Sequence, residues 1–218
     1  MWSPFYINLR EVYSKPTCIV MMRKICAGMS GILERDLADT TKLVGVATAG
    51  IPIASILTFS TGIPSCYTAK FCDERELDDP KDEEESPSPF AAHGERALVH
   101  GDLDDGDRLV LIDDIVTDGN SKLLARNLVD KEAKRRGVDV TCKDAIVVID
   151  REQGGGRVLN DNGMQLYSLI QLRTRGVRLL EGIMEPPYVA LIEDYLEDPR
   201  KYQDEDFRTK ASARITDL

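Results

Sequence analysis

Residues 108–121 read Arg-Leu-Val-Leu-Ile-Asp-Asp-Ile-Val-Thr-Asp-Gly-Asn-Ser, and they constrain the fold more than any other stretch. Residues 109–112 form a short apolar run with the length and composition of a strand buried on both faces. Two adjacent carboxylates, Asp113 and Asp114, close it, and a small polar loop containing Gly119 follows. Residues 121–136 then read as a helix. Strand, polar loop and helix, in that order, present backbone N–H groups to a phosphate. The loop lacks the Lys of a P-loop and the glycine spacing of a dinucleotide fingerprint. From the residues alone it is either a phosphate cup or an ordinary loop after an Asp pair.

The remaining pattern supports an α/β protein. Pro16 stands where a helix begins, and Ile19, Met22, Cys26, Met29, Leu33 and Leu37 follow at helical spacing, predicting a core-facing helix. Residues 43–47, 63–70, 145–149 and 166–172 read as strands, and residues 5–9 are strand-like. A helix opens at residues 48–52. The helix after the central loop carries Leu124, Leu128 and Val129 inward. It ends Lys134-Arg135-Arg136-Gly137, a basic last turn with Gly beyond it. Residues 177–184 and 188–196 look helical, separated by Pro186-Pro187, and the charged tail from residue 197 is expected to fray. Strands alternating with amphipathic helices predict a central parallel sheet flanked by helices, with a ligand site at the C-terminal ends of the strands.

Composition narrows the function classes. The 218-residue chain carries a net charge of −10, the opposite of the basic stripe that nucleic acid requires. No apolar run approaches the roughly 20 residues of a membrane span, and no signal peptide is visible. Five scattered cysteines without a C-x-x-C pair read as buried thiols of a reducing, cytoplasmic compartment. Residues 71–92 stand apart: between 73 and 85 there are nine acidic residues against two basic ones, a net −7. A mobile, solvated excursion is expected there.

The stretch around Asp113 closely resembles the 5-phosphoribosyl-1-pyrophosphate (PRPP) motif of type I phosphoribosyltransferases, and two further segments, in the family's order, are similar to the orotate branch. One is Ser3-Pro4-Phe5-Tyr6-Ile7-Asn8; the other is Asp150-Arg151-Glu152-Gln153-Gly154. The resemblance covers residues 3 to about 184. It implies the type I phosphoribosyltransferase fold with a small, partly truncated hood, since the family's N-terminal helix and Lys-bearing turn have no counterpart here. It also implies one domain over residues 1–196.

The same resemblance implies roles. Asp113 and Asp114 would face the ribose hydroxyls and a Mg²⁺ ion, held through water. The PRPP site would comprise Asp113, Asp114, Ile115, Val116, Thr117, Asp118, Gly119, Asn120 and Ser121, with Lys70 and the backbone of Thr48 and Ala49 towards pyrophosphate. Orotate would lie against Tyr6 and Thr117, with its carboxylate on Arg151, whose planar guanidinium matches a carboxylate in two parallel hydrogen bonds. Read without the resemblance, Arg151 would be an Arg in a Gly-rich turn. Lys70, His93 and Asp114 are the implied catalytic residues.

The implied activity is that of a Mg²⁺-dependent glycosyltransferase joining orotate and PRPP in UMP biosynthesis, as a cytoplasmic homodimer without nucleic-acid or membrane partners. The departures are the acidic run, the loss of most loop cations, and Asp118 inside the cup. They point to the alternative, a degenerate PRPP- or nucleotide-sensing protein of the same fold.

Overall fold

The computed structural model describes residues 3–70 and 97–209. The acidic run expected to be mobile, and His93 with it, lie outside the described residues. Among those described, six strands make one sheet in the order β3-β2-β1-β4-β5-β6. They are β1 Lys42–Gly45, β2 Ser65–Thr68, β3 Val99–His100, β4 Asp107–Val116, β5 Val140–Asp150 and β6 Gln165–Gln171. β1 pairs in parallel with both β2 and β4, and β5 lies parallel between β4 and β6. Only the two-residue edge strand β3 runs antiparallel, against β2. The sheet is therefore mostly, not wholly, parallel.

Helices cover both faces, as a sheet with apolar residues on both sides requires. On one face α2 (Ile19–Asp36) and α3 (Gly50–Thr61) join a core with α7 (Pro186–Glu197), through Met22, Met29, Leu33, Ile53, Leu57, Val189 and Tyr195. They pack against Leu43, Val110, Ile112 and Val148 of the sheet. On the other, α4 (Asn120–Arg136) and α5 (Gly155–Asp161) pack Ala125, Val129, Ala133 and Leu159 against Val44, Leu109, Leu111, Ala145 and Val147. Leu128 and Val129 are buried and Leu124 is half-buried, so the inward face of α4 is largely as expected. Gly137 closes α4 at φ 71 in the left-handed conformation that its Gly-specific position calls for. Cys26, Cys66 and Cys142 are buried free thiols.

Several local expectations change. Residues 5–9 do alternate, with Phe5, Ile7 and Leu9 packed on the core and Tyr6 and Asn8 exposed, but among the described residues no strand pairs with them. They run as extended chain into a short helix, α1 (Arg10–Ser14). Pro16 opens a 3₁₀ turn ahead of α2, leaving Ile19 46% exposed rather than core-facing. Pro186-Pro187 do not separate two helices: they occupy the first turn of α7, where missing N–H groups cost nothing. The preceding helix, α6 (Val177–Leu180), is shorter than residues 177–184.

The segment from residue 197 does not fray at once, because Tyr202 is 1% exposed and packs edge-on against Tyr195 and Phe207. By length and composition one helical stretch among the described residues, Pro16–Asp36, is long and apolar enough to cross a membrane. The sequence reading overlooked it; here its Met22, Cys26 and Met29 lie in the core.

Glu132, 0% exposed on α4, anchors the far side of the sheet. It accepts hydrogen bonds from Arg135, Arg136 and the Leu98 backbone N–H, while Arg136 donates to the carbonyls of Val99 and Gly101. Those partners, Arg135 first, hold its carboxyl well below the usual range, at about 2. The basic helix end thus fastens β3 to α4.

Candidate active site

Three loops meet at the C-terminal ends of β1, β4 and β5. The first, after β1, is tied down by Val46 N–H donating to Ile112 O (2.9 Å) and Ala47 N–H donating to Thr68 Oγ1 (3.1 Å). The peptide between Ala47 and Thr48 is cis. Gly50 opens α3 so close to β4 that a Cβ would lie 2.0 Å from the Ile112 carbonyl oxygen, so only Gly fits. Thr48 is exposed and Ala49 buried, leaving main-chain groups and one hydroxyl as the polar offering of this loop.

The second and third loops are stitched together. Arg151 N–H donates to Val116 O (3.1 Å) and Gly155 N–H to Thr117 O (2.9 Å). A Cβ on Gly155 would stand 2.7 Å from that same carbonyl oxygen, so the approach depends on glycine. The loop predicted to hold phosphate and the loop carrying Arg151 are thereby one rigid unit. Gly119 (φ 86) turns the chain into α4, whose first turn points its N–H groups at the loop. Asp118 already takes one: its carboxylate accepts from Asn120 N–H (3.1 Å) and from Asn120 Nδ2 (3.0 Å).

The acidic pair is adjacent but unequal. Asp113 is 7% exposed; its Oδ2 accepts from Lys122 Nζ at 2.5 Å and its Oδ1 from Asp114 N–H at 2.9 Å. Lys122, 2% exposed, also donates to Ser121 Oγ (3.2 Å) and to the Ile115 carbonyl. Sequence reading missed Lys122, since a Lys beside Ser121 on a helix is ordinarily solvated. Only the chain reversal at Gly119 brings it beneath the strand end. Asp114 is half-buried, and its Oδ1 accepts from Ile115 N–H (2.8 Å). Burial and then the Asp113 charge push its carboxyl up to about 6, with Lys122 opposing.

That shift has a signed consequence. Between about pH 4 and 6 the native protein keeps a proton on Asp114 that the unfolded chain has released. Stability from this group is therefore greatest at low pH and falls as pH rises through that window. Unliganded protein should gain thermal stability from pH 7 to pH 5, and Asp114→Asn should reduce that gain, leaving the part due to Asp130, Asp144 and Asp150, whose carboxyls burial also raises. Equal slopes in both proteins would refute it. Glu132, with its pKa near 2, acts below this window.

Arg151 sits in an aromatic clasp. Its guanidinium lies 4.7 Å from the Phe5 ring centre and 5.5 Å from that of Tyr195, and Nη2 donates to Ser3 Oγ (3.1 Å). Among the described residues no carboxylate pairs with it. Its Nε is buried without a hydrogen-bond partner, as are both side-chain amide atoms of Gln153 in the same loop. Burial draws the guanidinium pKa below its ordinary value, and Tyr195 opposes this. The ring against Arg151 is Phe5, whereas Tyr6 is 76% exposed. Phe5 and Tyr195 were not singled out in the sequence, being separated by most of the chain.

Lys70 is exposed just beyond β2, at the same edge of the sheet. Among the described residues no group of three His, Cys, Asp or Glu side chains forms a metal cage. A magnesium ion needs less, one or two carboxylates with water and substrate oxygens. The half-buried Asp114 fits that donor set, while Asp113 is already engaged by Lys122.

The fold of this chain is shared with solved phosphoribosyltransferases, and that is the class to which it assigns the chain. It aligns with UMP synthase of Leishmania donovani at TM-score 0.68 and 22% identity, over 89% of this chain and 36% of that one. Orotate phosphoribosyltransferase of Aeropyrum pernix aligns at TM-score 0.57 and 26% identity, over 83% and 84% of the two chains. Orotate phosphoribosyltransferase of Pyrobaculum islandicum is 34% identical over 191 residues, 87% of this chain and 84% of that protein. The chain belongs to the orotate phosphoribosyltransferase family. No protein-family model matches it.

Proposed function

We propose that this protein transfers the 5-phosphoribosyl group of PRPP to orotate, giving orotidine 5′-monophosphate and pyrophosphate for UMP synthesis. The observation that carries the reading is Arg151, set against two aromatic rings with no carboxylate on it among the described residues, and fastened by backbone hydrogen bonds to the cup after β4. Buried donors without partners cost about 1–3 kcal/mol each, and a planar substrate carboxylate is the group that satisfies a guanidinium fork.

In the reaction the ribose C1–O bond breaks, pyrophosphate leaves with the electron pair, and N1 of the orotate anion supplies the pair for the new bond. The backbone amides of residues 117–121 hold the 5′-phosphate, while Arg151 orients orotate for attack. Asp114 accepts from the ribose hydroxyls and offsets positive charge developing at C1. Asp114 would hold a magnesium ion, which would supply neutralisation of pyrophosphate charge. Lys70 faces the same leaving group. Thr117 lies between cup and base, and Tyr6 is free to cover the pyrimidine. Asp113 supports the site through Lys122. The exposed apolar residues Val20, Met21 and Phe59 support assembly as a homodimer, and a cytoplasmic setting fits the free thiols.

The test is direct: protein, Mg²⁺, PRPP and orotate are mixed, and loss of orotate absorbance is followed. Turnover supports the reading. One observation favours a second: the Asp118 carboxylate occupies a cup amide, as a phosphate would. If PRPP binds by calorimetry and orotate is not consumed, the protein is a sensor of sugar diphosphate instead.

A further inference from the structure

The aromatic side chains around Arg151 do not stop at the site. Phe5 meets Tyr195 edge-on at 5.6 Å, Tyr195 meets Tyr202 at 5.3 Å, and Tyr202 meets Phe207 at 5.0 Å. Tyr195 and Tyr202 are each 1% exposed, and the Tyr202 hydroxyl donates to Asp194 Oδ2 at 2.5 Å, holding this aromatic row against α7. The guanidinium of Arg151 is the polar end of the row, resting against the adjoining Phe5 and Tyr195 rings and steadied by Ser3 Oγ.

A long side chain that is to meet a carboxylate in two parallel hydrogen bonds must be held in one plane beforehand. An ion pair would do this but would also fill the fork. Aromatic faces attract the cation without using its N–H groups. Resting on the orotate reading above, we infer that Phe5 and Tyr195 are positioning residues that hold Arg151 for the substrate carboxylate. Helix α7, through Tyr195, would thus set orotate affinity from outside the loops that form the site. Neither ring is proposed to touch the reacting atoms.

The experiment separates positioning from mere packing. Tyr195→Leu removes one of the two rings, Tyr195→Phe keeps the ring and removes only its hydroxyl, and Phe5→Leu removes the other ring at a half-buried position while leaving an apolar side chain to pack there. Tyr195→Leu and Phe5→Leu should each raise the KM for orotate about tenfold, the scale of one cation–π contact. The KM for PRPP and kcat should stay within about twofold, a split that loss of folded protein cannot produce, and Tyr195→Phe should restore the wild-type KM. If Tyr195→Leu fails to fold, Phe5→Leu decides alone. Wild-type turnover with an unchanged orotate KM in the leucine variants would overturn this inference and leave the orotate reading intact. Wild-type protein that does not bind orotate would overturn both.

Discussion

Lys122→Met should cost about 3–5 kcal/mol of stability, the usual result of removing one partner from a buried ion pair. Lys122 is 2% exposed and Asp113 7%, and Lys122 Nζ lies 2.5 Å from the Asp113 carboxylate. Met matches the Lys stem in length and packs where it packed, so the lost charge dominates the difference. Asp113 would remain a buried anion beside Asp114, in a chain whose whole stability is on the order of 5–15 kcal/mol. For a domain of this size the midpoint should fall by roughly 10 °C. Adding Asp113→Asn should recover much of the loss, because the remaining polar group is neutral and still accepts from Asp114 N–H. Thermal melts of the single and double variants measure this as a coupling energy. A Lys122→Met protein that melts with the wild type would show that the pair is not buried in solution.

That Asp113–Lys122 pair also marks where sequence reading stops. The strand, the acidic pair and the glycine turn were legible because each is local: an apolar run of strand length, a turn residue with positive φ, a helix with a basic last turn and Gly beyond. Arg151 was legible only through the resemblance of residues 150–154 to the orotate branch, since an Arg in a Gly-rich turn carries no role of its own. What failed is non-local. The alternation of Phe5, Ile7 and Leu9 is real, but a strand needs a ladder partner and alternation cannot supply one. Lys122 looked solvated because helix periodicity does not report what a chain reversal folds back upon. Tyr202 lay in a charged tail whose composition said nothing of one aromatic side chain finding a vacancy beside Tyr195. The clasp on Arg151 joins residues 5, 151 and 195, and no spacing rule relates them.

Arg151→Met should lower kcat/KM for orotate by about 10²–10³-fold, as expected when a charged, doubly hydrogen-bonded contact worth about 2–5 kcal/mol is lost. Affinity for PRPP should hardly change, since the cup at residues 117–121 is fastened to the Arg151 loop by backbone groups that the substitution leaves in place. Stability is expected to move the other way. In the free protein the guanidinium is half-buried, and among the described residues its Nε has no partner and no carboxylate pairs with it. Burial already draws its pKa below the ordinary value, which is the signature of a charge that folding disfavours. A thioether packs against adjoining aromatic rings at favourable contact distances and needs no hydrogen bond. Arg151→Met should therefore melt at or above the wild-type temperature while losing its use of orotate. That combination distinguishes a residue kept for its ligand from one kept for the fold, since a structural arginine would take stability with it. Steady-state kinetics with orotate varied at fixed PRPP, beside a melt of the same preparation, gives both readings. A variant that melts much lower while retaining orotate turnover would assign Arg151 to the scaffold and remove the base-binding half of the proposed site.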